Sequence, residues 1–250
     1  RAKEWETSYT IAMGGDGDEP MSEEQNVSLL EKIVKDQRQI IEDVTKKKAS
    51  ETPQVWALYK EVQDYYDNGM RVPDDVTLLF CDDNWGNVRK LPDLNAKTRK
   101  GGYGMYYHFD YVGAPRNSKW LNVSQVSRVW EQMNLTYEHG VDRIWVVNVG
   151  DLKPQEYPIS FFLDMAWNPK QFNPSNLFDH TIAWCTQQFG AEHAKEAARL
   201  IEQYTKFNHR VTPELLDHRT YSLENYNEFE NVVTEYKELL VDAYRLYNKL

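Results

Sequence analysis

The stretch VTLLFCDDNWGN, residues 76–87, decides the fold, because a continuous apolar run stops abruptly at two acids and an amide. Four other stretches end in the same way: YTIAMGGDGDE (9–19), VWALYKE (55–61), YGMYYHFDY (103–111) and RIWVVNVGD (143–151). Buried parallel strands have near-continuous hydrophobic sequences, and the polar groups at their carboxyl ends carry the chemistry of barrels and doubly wound sheets. The pattern therefore predicts a parallel sheet with a polar rim.

Segments with helical spacing alternate with these strands, as expected of βαβ units. The segments between strands are 28–47, 61–70 and 124–140, and those of the tail are 180–190, 191–210 and 227–250. No G-x-G-x-x-G turn is present, which favours a barrel over an open sheet. We predict an α/β fold: an incomplete (β/α)8 TIM-type barrel in residues 1–170, followed by an α-helical bundle in residues 171–250. Five strands do not close such a barrel, so we expect one or more early strands to precede this chain.

Composition excludes several classes of partner. The formal net charge of −10 and the lack of a basic stripe argue against nucleic acid. No 18-residue apolar run is present, so no membrane span is expected. The aromatic content of 13% is compatible with a sugar ligand, although aromatic side chains more often fill cores. Cys81 and Cys185 are interpreted as two core thiols rather than a disulfide.

The rim carries carboxylates, amides, tyrosines and one histidine. For Asp18 and for Glu61, a catalytic role and a plain position at the start of a helix are equally good interpretations. The pair Asp82 and Asn84 is a stronger candidate, because both follow the same buried run. Strand alternation places Tyr106 and His108 on one face of their strand.

The choice of chemistry follows from what the rim lacks. A catalytic zinc site usually needs two or three histidines, and of the 6 in the chain only His108 lies at a predicted strand end, so we predict neither a metal nor another cofactor. No G-x-S-x-G sequence supports a serine nucleophile. A pair of carboxylates among hydrogen-bonding groups remains, and this suits glycoside hydrolysis.

Three long blocks resemble glycoside hydrolase family 115, the xylan α-glucuronidases. They are VTLLFCDDNWGNVRKLP (76–92), GGYGMYYHFDYVGAPRNSKWLN (101–122) and WVVNVGDLKPQEYPISFF (145–162), and TYSLENYNE (220–228) also fits. The resemblance implies an inverting enzyme that removes α-1,2-linked glucuronic acid or 4-O-methylglucuronic acid from xylan. It implies glucuronoxylan or its oligosaccharides as the partner, a secreted or periplasmic location, and a homodimer as a further expectation. A non-catalytic carbohydrate-binding barrel, or an inactive member of the family, is the alternative.

The resemblance also implies roles for individual residues. Glu61 and Asp18 match the catalytic carboxylates of the family, and we favour Glu61 as the general acid, with Asp18 or Asp82 as the base. The positions matched to uronic acid binding are Tyr59, Asp82, Asn84, Tyr106, His108, Tyr111 and Asn148. Gly14 stands where the family has an arginine, which would clamp a carboxylate. Either Arg116 or Lys153 replaces that cation, or the activity is altered.

Overall fold

The computed structural model describes residues 6–13, 27–95, 98–111 and 121–249. Its five strands form one sheet in the order β1-β2-β3-β4-β5. Their bounds are β1 Tyr9–Thr10, β2 Gln54–Leu58, β3 Thr77–Cys81, β4 Tyr103–His108 and β5 Ile144–Asn148. The pairs β1/β2, β2/β3 and β3/β4 are parallel. Strand order follows chain order without a reversal, so the sheet lacks the switch point of a doubly wound fold. The predicted α/β fold, an incomplete TIM-type barrel, is confirmed.

Seven α-helices lie in the described residues. Their bounds are α1 Val27–Thr45, α2 Glu61–Asp67, α3 Val126–Glu138, α4 Glu156–Trp167, α5 Leu177–Phe189, α6 Ala194–Arg210 and α7 Glu228–Tyr247. Six of them begin and end within a few residues of the predicted segments. The prediction did not include α4. No helix among the described residues is long and apolar enough to cross a membrane.

The chain packs as two compact units, which do not follow a single cut in the sequence. Unit 1 contains residues 1–108 and 135–147, and unit 2 contains residues 109–134 and 148–250. This grouping reflects packing, and the domain boundary at residue 170 stays a prediction.

Unit 1 is held together by an apolar core and by a partly buried polar network among its described residues. Leu58, Phe80 and Met105 are at most 1% exposed. The guanidinium of Arg38 on α1 donates to Gln54 Oε1 and to Asp75 Oδ2, each at 2.8 Å. This network joins α1 to the amino-terminal ends of β2 and β3, opposite the polar rim.

Unit 2 contains the helices of the carboxyl-terminal part, so the predicted helical region after the sheet is confirmed. Its core between α5, α6 and α7 is built from small and apolar side chains, namely Cys185, Ala194, Ala197, Ala198 and Leu246. Three alanines on one face allow α6 to approach its neighbours closely.

Candidate active site

The loop after β3 is organised around the buried carboxylate of Asp82, which is only 1% exposed. Its oxygens accept hydrogen bonds from the backbone N–H groups of Asn84 (2.9 Å), Gly86 (3.1 Å) and His108 (2.8 Å). A fourth bond, of 2.6 Å, joins Asp82 Oδ1 to His108 Nδ1. Because an ionised carboxylate only accepts, Nδ1 must carry the proton. Asp82 therefore fixes the loop, the tautomer and the orientation of the histidine.

The neighbouring Asp83 closes the same loop from the other side. Its Oδ1 accepts the N–H groups of Trp85 and Asn87, at 2.9 and 3.1 Å, and its Oδ2 accepts the Asn87 amide at 2.7 Å. Gly86 takes a φ of +79°, and a Cβ there would lie 2.9 Å from the Tyr107 hydroxyl. Two successive acids thus build a compact loop that only glycine can complete at this position.

Asn84 lies at the tip of this loop in the left-handed region, with a φ of +74°. Its Oδ1 is closed off from solvent and has no hydrogen-bond partner in the described part of the chain. A shielded acceptor without a partner is costly, and such atoms concentrate where a ligand completes them. The predicted substrate-binding residue Asn84 is therefore presented by a backbone conformation that asparagine tolerates better than most residues.

Three predicted binding residues meet beside this loop through their rings. The ring centroids of Tyr106 and His108 lie 5.1 Å apart, as strand alternation predicts for residues on one face of β4. The Tyr59 ring, which follows β2, lies 6.4 Å from that of His108. The carboxyl ends of β2, β3 and β4 thus bring an aromatic and imidazole wall against the Asp82 loop.

The turn between β2 and α2 places Glu61 by way of an unusual backbone. Lys60 takes φ 49° and ψ −126°, a sparsely populated conformation for a residue with a side chain, and Glu61 opens α2 immediately after it. Glu61 is half-buried. The Lys60 ammonium lies 5.2 Å from the centroid of the Tyr59 ring. Lys60 and Glu61 are therefore charged residues at a strained turn, and strained backbone is typical of functional sites.

Lys60 is a residue that sequence reasoning missed. Its only sequence signal is a cation between Tyr59 and Glu61, in a site expected to bind an acid. Two other cations, Arg116 and Lys153, were predicted as replacements for the family's arginine. Arg116 lies outside the described residues, and Lys153 is in unit 2, with a side chain that is 89% exposed and 3.9 Å from Glu156.

The described part of unit 1 does not contain the other predicted site residues. Asp18 and Gly14 lie outside the described residues. Tyr111 and Asn148 belong to unit 2, where the Asn148 carbonyl accepts the Phe109 N–H at 2.8 Å. The Asn148 Oδ1 accepts the Gly150 N–H at 3.2 Å and so stabilises the turn after β5. Six of the nine predicted residues lie in unit 1 at or just after the carboxyl ends of β2, β3 and β4: Tyr59, Glu61, Asp82, Asn84, Tyr106 and His108.

The geometry of unit 1 suits the binding of a polar, ring-shaped ligand. It offers an amide, an imidazole, two phenols and a lysine, and one half-buried carboxyl at the start of α2. Among the described residues no group of three histidine, cysteine, aspartate or glutamate side chains could hold a metal ion. The chemistry that these residues can supply is proton transfer and hydrogen bonding.

A comparison with protein families decides the identity. The model described as glycosyl hydrolase family 115 matches residues 1–215. The chain belongs to glycoside hydrolase family 115. No curated protein sequence matches it.

Among solved structures, this family 115 chain is similar to one titled as a family GH115 4-O-methyl-α-glucuronidase with specificity for decorated arabinogalactans. The two share 32% sequence identity with a TM-score of 0.86, and the match covers 97% of this chain and 34% of that chain. The chain thus spans about a third of the length of that enzyme. The match confirms the fold over nearly every residue of the family 115 chain.

Proposed function

We propose that the chain carries the active-site half-barrel of a glycosidase that releases α-linked glucuronic acid or its 4-O-methyl ether from a polysaccharide. The observation that carries this proposal is the constellation at the ends of β2, β3 and β4, in a member of family 115. A uronic acid presents several hydroxyls, one carboxylate and an apolar ring face. The amide of Asn84, the His108 imidazole and the phenols of Tyr59 and Tyr106 complement these groups.

In this proposal Glu61 is the general acid, and Asp18 is the general base that activates water. An inverting glycosidase needs one protonated carboxyl on the leaving oxygen and one carboxylate beside the attacking water. Glu61 has the support of its place in the described site, at the strained turn after β2. The role of Asp18 rests on the family resemblance.

Lys60 is the proposed cation for the sugar carboxylate. It lies between Tyr59 and Glu61, and its ammonium is near the Tyr59 ring. An ammonium binds a carboxylate as a point charge, without the two-pronged geometry of arginine. Lys60 would therefore supply the charge that Gly14 cannot supply.

Two polymers compete as the substrate. The sequence resemblance points to α-1,2-linked uronic acid on glucuronoxylan. The enzyme of the similar structure is described as specific for decorated arabinogalactans. We propose glucuronoxylan first. Uronic acid release from glucuronoxylan and from arabinogalactan, measured side by side, separates the two, and release from arabinogalactan alone would discard xylan.

The deciding experiment is Glu61→Gln. If Glu61 donates the proton, release falls by roughly 10²- to 10⁴-fold, while binding of glucuronic acid by calorimetry changes little. Asp64→Asn is the matched control, because it removes one negative charge from the exposed first turn of the same helix. Full activity in Glu61→Gln would remove Glu61 as the acid.

The same experiment tests a non-catalytic role. A carbohydrate-binding protein would bind glucuronic acid, release none from either polymer, and respond equally to Glu61→Gln and Asp64→Asn. The secreted or periplasmic location and the homodimer stay predictions, and sedimentation of the purified chain measures the second.

A further inference from the structure

A cavity of about 380 Å³ lies in unit 2, within the helical part of the chain. The start of α3, the first turns of α4 and α5 and the middle of α6 surround it. Its volume is within the range of pockets that bind small ligands. Neither the catalytic proposal nor the uronic acid site uses any of these residues.

The α3 side of the cavity supplies hydrogen-bond donors. Ser124 and Ser127 line it at the start of this 13-residue helix, whose first turn contains no acid. Ser124 is 7% exposed, and its Oγ has no hydrogen-bond partner among the described residues. The first N–H groups of a helix also lack partners within it. A ligand with several oxygen atoms would satisfy these donors.

The α6 side supplies an acceptor and a compensating charge. Glu202 and Lys206 line the cavity one helical turn apart. Partial burial raises the pKa of Glu202. The single acid and the single base give this lining no formal net charge. Taken as whole residues, both are exposed, and the Glu202 carboxylate can accept hydrogen bonds from hydroxyl groups.

The remaining wall is apolar and rigid. Tyr157 is buried, its hydroxyl is bonded to Thr181 Oγ1 at 2.7 Å, and its ring centroid lies 5.0 Å from that of Trp184. Leu177 and Phe178 continue this wall. An apolar surface opposite a few convergent polar groups is the usual construction of a small-ligand site.

We propose that this cavity is a non-catalytic binding site for the neutral sugars of the polysaccharide, one or two residues in length. Hydroxyls are both donors and acceptors, so a neutral sugar can satisfy the serines and Glu202 together. Because Glu202 and Lys206 balance in formal charge, the lining offers no excess cation for a uronate. The identity of the ligand as a sugar rests on the proposed glycosidase function, whereas the site itself stands on the lining of the cavity.

Calorimetric titration of the chain with xylobiose, with galactobiose and with glucuronic acid tests this site. Ser127→Trp fills the cavity from an exposed position, and Glu202→Gln removes the acceptor charge. Each should weaken binding of a neutral disaccharide at least about tenfold, a loss of 1.4 kcal/mol. Glu192→Gln is the matched control, because its side chain is 87% exposed and lies outside the cavity.

Three results would overturn the site: no neutral disaccharide binds, both variants bind like the unsubstituted chain, or glucuronic acid is the ligand that Ser127→Trp displaces. Circular dichroism shows whether each variant folds. If Ser127→Trp does not fold, the binding result for Glu202→Gln decides whether the site exists. Failure of the proposed catalysis gives a different result from failure of this site. If the unsubstituted chain releases no uronic acid, but binds a neutral disaccharide that both variants bind more weakly, the cavity is still a binding site.

Discussion

At the scale of single residues, the site depends on Asp82 as much as on the groups proposed to touch the sugar. Both of its oxygens are engaged by four hydrogen bonds within the chain. Its predicted role in substrate binding stays a prediction, and the structure adds a positioning role through His108. The carboxylate is central because three backbone donors and one imidazole converge on it.

We predict that Asp82→Asn destabilises the chain by about 3 kcal/mol, because the amide nitrogen would face donors and leave them without an acceptor. Urea unfolding of the variant measures this. Asp93→Asn, in an exposed turn, should change stability by less than about 0.5 kcal/mol. Equal stability of the two variants would show that the buried carboxylate is not needed.

Alanine substitutions at Gly86 and Gly140 form a matched pair that tests how closely the loop packs against Tyr107. Their φ angles are +79° and +77°, but a Cβ at Gly140 would meet nothing within 4 Å. Gly140→Ala should cost about 1 kcal/mol through the backbone alone. Gly86→Ala should cost about 1–3 kcal/mol more, because the added methyl overpacks the Tyr107 hydroxyl. Equal costs in thermal unfolding would contradict the packing of this loop.

At the scale of elements, the attachment of α1 to the sheet depends on Arg38. Its side chain is 14% exposed and that of its partner Asp75 is 18% exposed. Arg38→Met would leave both Asp75 and the buried Gln54 Oε1 without their donor, and we predict a loss of about 3 kcal/mol.

The control for Arg38→Met is Lys90→Met, which removes an ion pair to Asp67 whose side chains are each 41% exposed. That pair should contribute less than about 1 kcal/mol, because water screens it. Chemical denaturation of both variants gives the comparison. A larger loss in Lys90→Met would reverse the expected ranking.

The elements were predictable from sequence where burial has a clear pattern. The five strands were found because each is a short apolar run that ends at polar residues. Helix α4 was missed because its sequence EYPISFFLDMAW has little polar surface to reveal a helical period, and Pro158 is in its first turn. The pattern of an almost wholly apolar helix resembles that of a buried strand.

At the scale of the whole molecule, each unit contains one buried cysteine. Cys81 is 2% exposed in unit 1, and Cys185 is fully buried in unit 2. Burial, together with the nearby Asp82, raises the pKa of Cys81 to about 12, and burial raises the pKa of Cys185 to about 11. Below those values both groups remain thiols, which are poor nucleophiles.

We therefore predict that neither thiol reacts with a disulfide reagent at about pH 8 until its unit opens. Labelling across a denaturant series, followed by peptide mass analysis, reports the opening of unit 1 through Cys81 and of unit 2 through Cys185. Rapid labelling of either residue in the native chain would contradict its burial.

Family membership and the strand ends that carry the candidate residues could be predicted from sequence, and the hydrogen bonding between those residues could not. Tyr59, Asn84, Tyr106 and His108 could be chosen as candidates because each lies at or near the carboxyl end of an apolar strand. The bond between Asp82 and His108 joins residues that are 26 positions apart. Lys60 was overlooked because its proposed role depends on a backbone turn that composition does not reveal. Such features depend on which strands lie side by side.

The loop that carries Asn84 is closed by its own carboxylates, and this has a consequence for ligand recognition. Asp82 and Asp83 each accept hydrogen bonds from the backbone of residues two and four positions ahead, so the loop has its shape before a sugar binds. The entropy of ordering this segment is lost during folding rather than during binding. Structures with and without a bound uronic acid should therefore superimpose here, and specificity would come from a rigid template rather than from closure around the ligand.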